Sequence, residues 1–397
     1  MSASGVRTAD VVIVGAGVQG ASLAFHLARR GVRVAVVERS SVGAGATGRS
    51  SGFVRMHYDL ELEARLAWAS FPYFTGWPER VGDGDPGFVR TGFLQLVPAA
   101  FAAALRANVA AHRRIGIESS VLGPDEAGRI VPGMTVDDVA AAAWEPASGY
   151  ADPTGTASGF LAAARRLGAT YAAGIRVTGV RVDGDRVTGI ETADGRVDAP
   201  VVVVAAGAWS AELARTAGVE IPVVPWRHDT GYFGLPPEPP TDIPIVLDHA
   251  RAVYFRPEGR ELLLVGLETG NDVGGSPDRP LAGPADGILE AMVERVCRRV
   301  PWMAAGDLRT VHGGQDGMTP DQRAILGPVG GAGPDGLWLD CGFSGSGFKT
   351  APAVGASLAE WILDGRPSTV DISPFSLGRF AAGKPLVGEH PYESLWR

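Results

Sequence analysis

A glycine pattern within the first forty residues constrains the fold more than any other feature of the chain. An apolar run at 11–14 leads into Gly15, Gly17 and Gly20, and a second apolar run ends at Glu38. In such a pattern the first glycine permits a tight turn, the second lets the backbone approach a pyrophosphate, and the third lets the helix pack closely on the strand. The order of strand, helix, strand and terminal acid predicts a bound adenine dinucleotide, with the carboxylate accepting hydrogen bonds from ribose hydroxyls.

Composition excludes several other classes. The length of 397 residues predicts two or three domains, and the net charge of −8 is spread along the chain without a basic footprint for nucleic acid. Cys297 and Cys341 lack the spacing of metal ligands, so we expect no metal site and no disulfide framework. With no signal-peptide pattern and no apolar run long enough for a membrane span, we expect a cytoplasmic enzyme.

Three further segments favour a flavin over a nicotinamide. A glycine- and serine-rich loop at 43–55 follows the second strand and is placed to wrap the rest of a flavin dinucleotide. An apolar strand at 201–205 runs into a small-residue turn, which resembles the turn near the adenine end of two-domain flavoproteins. A second glycine loop at 342–347 opens a helix near Lys349. The positive end of that helix suits the flavin edge where negative charge collects on reduction.

These elements lie at the two ends and in the middle of the chain, and antiparallel-looking strands lie between them. The pattern predicts an α/β (mixed α+β) fold, in which a Rossmann-like FAD-binding domain is interleaved with a mixed antiparallel-sheet substrate domain. The predicted FAD-binding domain comprises 8–82, 145–222 and 305–390, and the predicted substrate-binding domain comprises 83–144 and 223–304.

Seven blocks together resemble the D-amino-acid-oxidase superfamily, in particular its sarcosine oxidase and glycine oxidase branch. They are 11–28, Gly45–Arg55, Glu145-Pro146 with Ser148-Gly149, Val201–Leu213, Pro225–Arg227, Met318–Asp321 and Gly342–Gly355, and the last is the most specific. The resemblance implies FAD-dependent oxidation of the C–N bond of an amino acid, most readily an N-carboxymethyl or N-alkyl glycine. The imine would be hydrolysed to an amine and a 2-oxo acid, such as glyoxylate, and oxygen would be reduced to hydrogen peroxide.

The resemblance also implies roles for individual residues. Arg55 matches the family arginine that binds the substrate carboxylate, and Lys349 matches the lysine on its other side. Tyr254 and Arg256 lie on a predicted strand facing the flavin, and they complete the predicted catalytic set. The predicted cofactor-binding residues are Gly15, Gly17, Val18, Gln19, Gly20, Glu38, Arg39, Gly45, Ala46, Thr47, Arg49, Ser50, Ser51, Val177, Ala205, Ala206, Gly207, Trp209, Gly342, Phe343, Ser344, Gly345, Ser346, Gly347, Phe348 and Lys349.

Departures from the family pattern refine these expectations. Gly314 and Arg49 stand where relatives attach flavin covalently, so we expect non-covalent FAD. Leu264 stands near the lysine that activates oxygen in relatives, which argues against rapid reaction with oxygen.

On the amine side of the predicted pocket, Glu268, Asp316 and Ser346 replace residues of the sarcosine-binding relatives. We therefore expect an amino-acid substrate other than sarcosine itself.

Two alternatives remain open at this stage. One is a flavin dehydrogenase that acts on amino acids or 2-hydroxy acids and uses another electron acceptor. The other is a non-catalytic flavin-binding subunit of a larger oxidase. We expect a monomer or a weak homo-oligomer, with neither a membrane nor a nucleic acid as partner.

Overall fold

The computed structural model describes residues 7–281 and 283–392. Its helices are α1 (Val18–Ala28), α2 (Glu61–Thr75), α3 (Trp77–Arg80), α4 (Ala102–Arg114), α5 (Pro124–Ile130), α6 (Pro153–Arg166), α7 (Ser210–Arg215), α8 (Ile288–Arg299), α9 (Gly347–Asp364) and α10 (Gly378–Ala381). Its strands are β1 (Val11–Val14), β2 (Val34–Val37), β3 (Phe53–Val54), β4 (Val89–Arg90), β5 (Phe93–Val97), β6 (Ser120–Leu122), β7 (Ala141–Glu145), β8 (Gly149–Tyr150), β9 (Thr170–Ala172), β10 (Val177–Asp183), β11 (Arg186–Thr192), β12 (Gly195–Asp198), β13 (Val201–Val204), β14 (Val224–Gly234), β15 (Ile245–Asp248), β16 (Val253–Glu258), β17 (Leu262–Leu267), β18 (Asp307–Met318), β19 (Ile325–Pro328) and β20 (Leu337–Cys341).

A six-stranded sheet carries the predicted dinucleotide-binding elements. Its order is β19-β20-β13-β1-β2-β9, and all neighbours are parallel except the edge pair β19–β20. Every side chain of β1 and β2 is buried, as expected for a parallel sheet covered on both faces. Consecutive strands β1 and β2 lie side by side, whereas β13 enters on the other side of β1. The carboxyl ends of these strands therefore form the crevice in which α/β sheets bind ligands.

An eight-stranded sheet forms the second layer, in the order β18-β14-β17-β16-β15-β5-β7-β6. Its neighbours are antiparallel except for the parallel pair β15–β5. One face packs on α8, and the other carries Phe93, Tyr254 and Leu264 against Phe53 and Tyr150 of the small sheet β3-β8-β4. The predicted mixed α/β architecture is thus confirmed, with two sheets built from interleaved segments.

Sheet membership bears on the predicted domain boundaries. The strand β18 pairs along its length with β14 in the eight-stranded sheet, although it falls within the segment 305–390 that we assigned to the FAD-binding domain. The boundaries stay a prediction. A separate hairpin sheet, β10-β11-β12, lies beside the cofactor sheet. No helix in the described part of the chain is long and apolar enough to cross a bilayer.

Candidate cofactor and substrate site

The first glycine loop has the geometry that the sequence predicts. Gly15 has a φ of 112°, and a Cβ there would lie 2.3 Å from the carbonyl oxygen of Ala205 on the neighbouring strand. A Cβ on Gly20 would lie 2.2 Å from the carbonyl oxygen of Gly15, so this glycine permits the close contact of α1 with the loop. Any larger residue at either position would push α1 or β13 away from the crevice.

The ends of the loop are held by side chains from neighbouring segments. The Val18 N–H donates to Thr47 Oγ1 at 3.0 Å, which ties α1 to the glycine- and serine-rich loop. At the end of β2, Glu38 accepts the Ala16 N–H at 3.0 Å and the Ser40 N–H at 2.8 Å. Glu38 therefore holds the loop while its carboxylate faces the crevice.

A cleft of about 630 Å³ opens above the carboxyl ends of the strands, between the two glycine loops. Of the predicted cofactor-binding residues, those that line it are Gly15, Gly17, Val18, Gln19, Glu38, Arg39, Gly45, Ala46, Thr47, Arg49, Ser50, Ser51, Val177, Ala205, Ala206, Gly207, Trp209, Gly342, Phe343, Gly345, Gly347 and Phe348. The other four, Gly20, Ser344, Ser346 and Lys349, do not. Gly20 lies beneath the loop, and the Ser346 hydroxyl donates to the Phe343 carbonyl at 2.8 Å, so these two shape the loops themselves.

Several lining residues are absent from the predicted cofactor-binding set. They are Val14, Val37, Ser40, Ala44, Ile175, Arg176, Thr178, Glu212, Leu213, Thr216, Trp226, His228, Gly314, Gln315, Asp316, Asp340 and Cys341. The carboxylate of Asp316 accepts the Gly317 N–H and the Gly345 N–H, both at 2.8 Å, and so ties β18 to the second glycine loop. Burial raises the pKa of Asp316. In the sequence, the only indication of this contact is the acidic residue two positions before Met318.

Arg55 and Lys349 are brought together on one aromatic ring. Arg55 is 5% exposed and Lys349 is 6% exposed. The Arg55 guanidinium lies 4.4 Å from the centroid of the Tyr58 ring, and Lys349 Nζ lies 5.7 Å from the same centroid. Within the described residues neither side chain forms a salt bridge. Burial, and then the charge of Arg55, hold the pKa of Lys349 well below its usual value.

Tyr254 and Arg256 lie on β16 behind the cleft and do not line it. The Tyr254 hydroxyl is hydrogen-bonded to His228 Nε2, and the two rings stack with centroids 5.7 Å apart. Arg256 Nε donates to the carbonyl of Ser51 at 2.6 Å, and its Nη2 pairs with Glu258 at 2.7 Å. The contact with Ser51 holds the loop 43–55 against β16. The observed contacts of Arg256 therefore indicate that it positions this loop.

Leu264 lies on β17 and packs against Phe53 of the loop 43–55, and Glu268 directly follows that strand. Leu264 is fully buried among apolar and aromatic side chains, including Phe53 and Phe93. Glu268 Oε2 pairs with His249 Nδ1 at 3.0 Å, and burial raises the pKa of this carboxyl. The surroundings of Leu264 are therefore apolar.

A buried cluster of His57, His112 and Glu145 is the group closest to a metal site in the described residues. Their ligand atoms lie within 4.8 Å of one another. Burial lowers the pKa of His112 to about 4 and raises that of Glu145 to about 7, so burial disfavours the charged form of both groups. Arg55, whose guanidinium donates to the His57 carbonyl, already lacks an anionic partner, which disfavours a divalent cation. That the protein holds no metal stays our prediction.

The two glycine loops and the strand ends have the shape and chemistry of a flavin dinucleotide site, and residues 10–361 match the family described as FAD dependent oxidoreductase. The chain belongs to this family. FAD is therefore the cofactor, and the flavin, as predicted, is favoured over a nicotinamide.

Relatives share the family and most of the fold. Mitochondrial sarcosine dehydrogenase of Mus musculus is 30% identical over 396 residues, covering 94% of this chain but 41% of that protein. L-proline dehydrogenase from P. horikoshii has a TM-score of 0.88 at 26% identity, covering 96% of this chain and 100% of that one. Glycine oxidase from Geobacillus kaustophilus has a TM-score of 0.81 at 26% identity, covering 94% and 99%. The chain thus spans about two fifths of the sarcosine dehydrogenase but the whole of the solved relatives.

Proposed function

We propose that this protein oxidises the C–N bond of an amino acid and that Arg55 and Lys349 bind the substrate carboxylate. The observation that carries the proposal is the pair of buried basic side chains on the Tyr58 ring, for which the described residues provide no salt-bridge partner. A buried charge without a counter-ion is costly, so it is retained where a ligand supplies the opposite charge. Arg55 can form a bidentate contact with a carboxylate, and Lys349 adds a point charge.

The substrate class is an N-substituted amino acid, most readily an N-carboxymethyl or N-alkyl glycine. Two of the relatives are named for sarcosine and L-proline, and both of these compounds are amino acids with a secondary amine. The replaced amine-side residues, Glu268 and Asp316, support a substrate other than sarcosine. Both carboxyls are buried, and burial raises the pKa of each.

The protein orients the substrate and supplies an electrostatic field, and FAD, when bound, is the two-electron acceptor. Anchoring the carboxylate fixes the substrate α-carbon relative to the flavin end of the cleft. The two cations lower the pKa of the substrate amine, which must be neutral before its carbon loses hydride. Loss of hydride leaves an imine, and addition of water then breaks the C–N bond to give an amine and a 2-oxo acid.

Molecular oxygen is the first candidate for the final acceptor, with hydrogen peroxide as the product. The second candidate is an acceptor other than oxygen, in which case the protein is a dehydrogenase. Leu264 favours the second candidate, because its surroundings are apolar and it offers no charge to stabilise superoxide.

The experiment is anaerobic titration of the purified flavoprotein with N-carboxymethyl amines, N-methyl amino acids, D-amino acids and 2-hydroxy acids. We expect the secondary amino acids to bleach the flavin, with formation of one 2-oxo acid per flavin. Bleaching only by 2-hydroxy acids would contradict the proposed donor. Failure of every donor would instead support a non-catalytic subunit.

Three secondary expectations accompany the proposal. FAD is held non-covalently, because Gly314 and Arg49 occupy the family attachment positions. Acid precipitation should then release all the flavin into the supernatant, and colour in the pellet would contradict the expectation. We also propose a monomer or weak homo-oligomer that acts in the cytoplasm, although the named sarcosine dehydrogenase is mitochondrial.

A further inference from the structure

Asp340 is a buried acid in the cofactor cleft whose carboxyl oxygens accept no hydrogen bond from any described residue. It is 1% exposed and lies at the fourth position of β20, next to the second glycine loop. Neither carboxyl oxygen has a hydrogen-bond partner among the described residues. Its strand neighbours Leu339 and Cys341 belong to an apolar cluster, and Asp340 lines the cleft.

A buried carboxyl without partners is rare, because burial removes its hydrogen bonds to water. Here burial raises the pKa of Asp340 to about 7. The group therefore exchanges between an acceptor-only form and a form that also donates near neutral pH. A ligand hydroxyl satisfies either form, because it can both donate and accept.

The order of strands indicates which part of FAD carries those hydroxyls. Glu38 ends β2 and marks the adenosine ribose, and the glycine loop after β1 marks the pyrophosphate. In the sheet, β13 and then β20 lie on the opposite side of β1 from β2. The dinucleotide segment beyond the pyrophosphate is the ribityl chain, which bears hydroxyl groups. Past Asp340, the N-terminus of α9 begins at Gly347, where the flavin ring is expected.

We infer that Asp340 is a cofactor-binding residue whose carboxyl group hydrogen-bonds to ribityl hydroxyls of FAD. This inference rests on family membership and the cleft, and does not depend on the proposed amino-acid substrate. The neighbouring Gln19 supports it. Its side-chain nitrogen donates to the Gly347 carbonyl at 2.7 Å, but its buried oxygen has no partner among the described residues. Two orphan acceptors on the cleft wall point to a hydroxyl-bearing ligand.

The test measures FAD affinity rather than turnover. Apo-protein of the wild type and of Asp340→Ala is titrated with FAD and with FAD analogues that each lack one ribityl hydroxyl, and flavin fluorescence is followed. We expect Asp340→Ala to weaken FAD binding roughly ten- to a hundredfold, as for loss of hydrogen bonds to an ionisable group. At least one analogue should bind the wild type more weakly than FAD does. Asp340→Ala should bind that analogue about as well as it binds FAD.

Glu38→Gln provides the matched control, since its carboxylate faces the other end of the cofactor. It should weaken FAD and the ribityl analogues by the same factor. Asp340→Asn, which preserves shape and hydrogen-bonding capacity, should retain part of the affinity and serves as the second variant if the alanine protein does not fold.

Equal binding of FAD and every analogue by the wild type would show that ordered water, not the cofactor, satisfies Asp340. That result would overturn the inference. Unchanged FAD affinity in folded Asp340→Ala protein would overturn it as well.

Discussion

Arg299 and Arg55 are both buried arginines, but they differ in what surrounds them. Arg299 is fully buried, and its guanidinium pairs with Asp248 at 2.6 Å and with Asp138 at 2.7 Å. Arg55 is nearly as buried, yet it contacts a backbone carbonyl and the face of the Tyr58 ring, with no carboxylate partner among the described residues. Charge compensation inside the protein suits a structural arginine, and its absence at Arg55 is the reason why we propose a ligand carboxylate there.

A third arginine sharpens this contrast, because it is close to Arg55 in the structure. Arg323 pairs with Asp59 at 2.7 Å and with Glu63, and all three side chains are buried. These two acids follow Tyr58 by one and five residues in the sequence, and both pair with Arg323. The arrangement leaves Arg55 and Lys349 free to attract an anion from outside.

The largest effect is expected at the compensated site. Arg299→Ala would leave the buried Asp248 without its cation, whereas Asp138 would keep Arg251 at 2.6 Å. Breaking a buried pair costs about 3–5 kcal/mol. Chemical denaturation should show this loss in the free energy of unfolding. Arg298→Ala is the matched control, because Arg298 is exposed and pairs only with Glu294 on the same helix. That control should change stability by less than about 1 kcal/mol. A similar loss in both variants would contradict the structural assignment.

Arg55→Ala should show the reverse pattern, with stability and FAD content near wild type and substrate capture impaired. Loss of a charge-assisted hydrogen bond of about 1.5–3 kcal/mol lowers kcat/KM roughly ten- to a hundredfold. Steady-state kinetics with the best amino-acid donor measures this. Arg55→Lys should recover part of the loss, because it keeps the charge but not the planar fork. If kcat/KM is unchanged, Arg55 is not the carboxylate anchor.

The family resemblance singles out Arg55, but the sequence does not reveal the ion pairs of Arg299 and Arg323. Gly15, Gly20 and Glu38 belong to one recognisable strand–helix–strand pattern, so their roles could be predicted. The partners of Arg299 lie 51 and 161 residues away along the chain, and no local pattern connects them. For Asp340 a signal existed: an acid within the otherwise apolar strand Leu337–Cys341, directly before the glycine loop.

The residues predicted around the substrate are less complete, because their contacts also depend on residues distant in the sequence. Tyr254 and Arg256 are predicted site residues because their strand is placed to face the flavin, but neither lines the cleft. Alternation does not reveal that Arg256 is engaged by Ser51 and Glu258, since these contacts depend on how the loop 43–55 crosses the sheet. Residues from loops and distant strands therefore carry most of what the sequence could not predict.

The buried Lys349 leads us to expect that carboxylate binding depends on pH, an effect that Arg55 cannot produce. Burial and Arg55 lower its pKa, so its charge is present at low pH and is lost as the pH rises through that lowered value. Carboxylate affinity should accordingly fall with rising pH, by up to about tenfold per pH unit above the pKa of the free enzyme. Acetate, which has no amine to titrate, is the probe, and perturbation of the flavin spectrum reports its binding.

Lys349→Arg should bind acetate with little pH dependence over the same range, because a guanidinium stays charged. An alkaline loss of affinity that persists in Lys349→Arg would assign the titration to another group. Lys349→Met should bind acetate weakly at every pH.

The smallest effect is expected when a cation is added at Leu264. Leu264 pairs across the sheet with Arg256 and Tyr232, and its side chain lies in an apolar cluster with Phe53 and Tyr254. At an effective dielectric of about 20, a cation roughly 10 Å from developing superoxide contributes about 1.7 kcal/mol. Leu264→Lys should therefore speed reoxidation of the reduced enzyme by oxygen, by about twentyfold at most. Burial disfavours the charged lysine, which reduces the gain further.

Stopped-flow reoxidation measures the second-order rate, on variants whose FAD content and Tm match wild type. Leu264→Gln is the control, since it introduces polarity of similar size without charge. Acceleration in the lysine variant alone would show that the wild type lacks a cation at this position and would favour an acceptor other than oxygen. Equal rates in wild type, glutamine and lysine variants would mean either that Leu264 does not face the reacting flavin, or that Arg55 and Lys349 already supply the field. Repeating the measurement in Arg55→Ala separates these two cases, because only the second predicts slower reoxidation when that cation is removed.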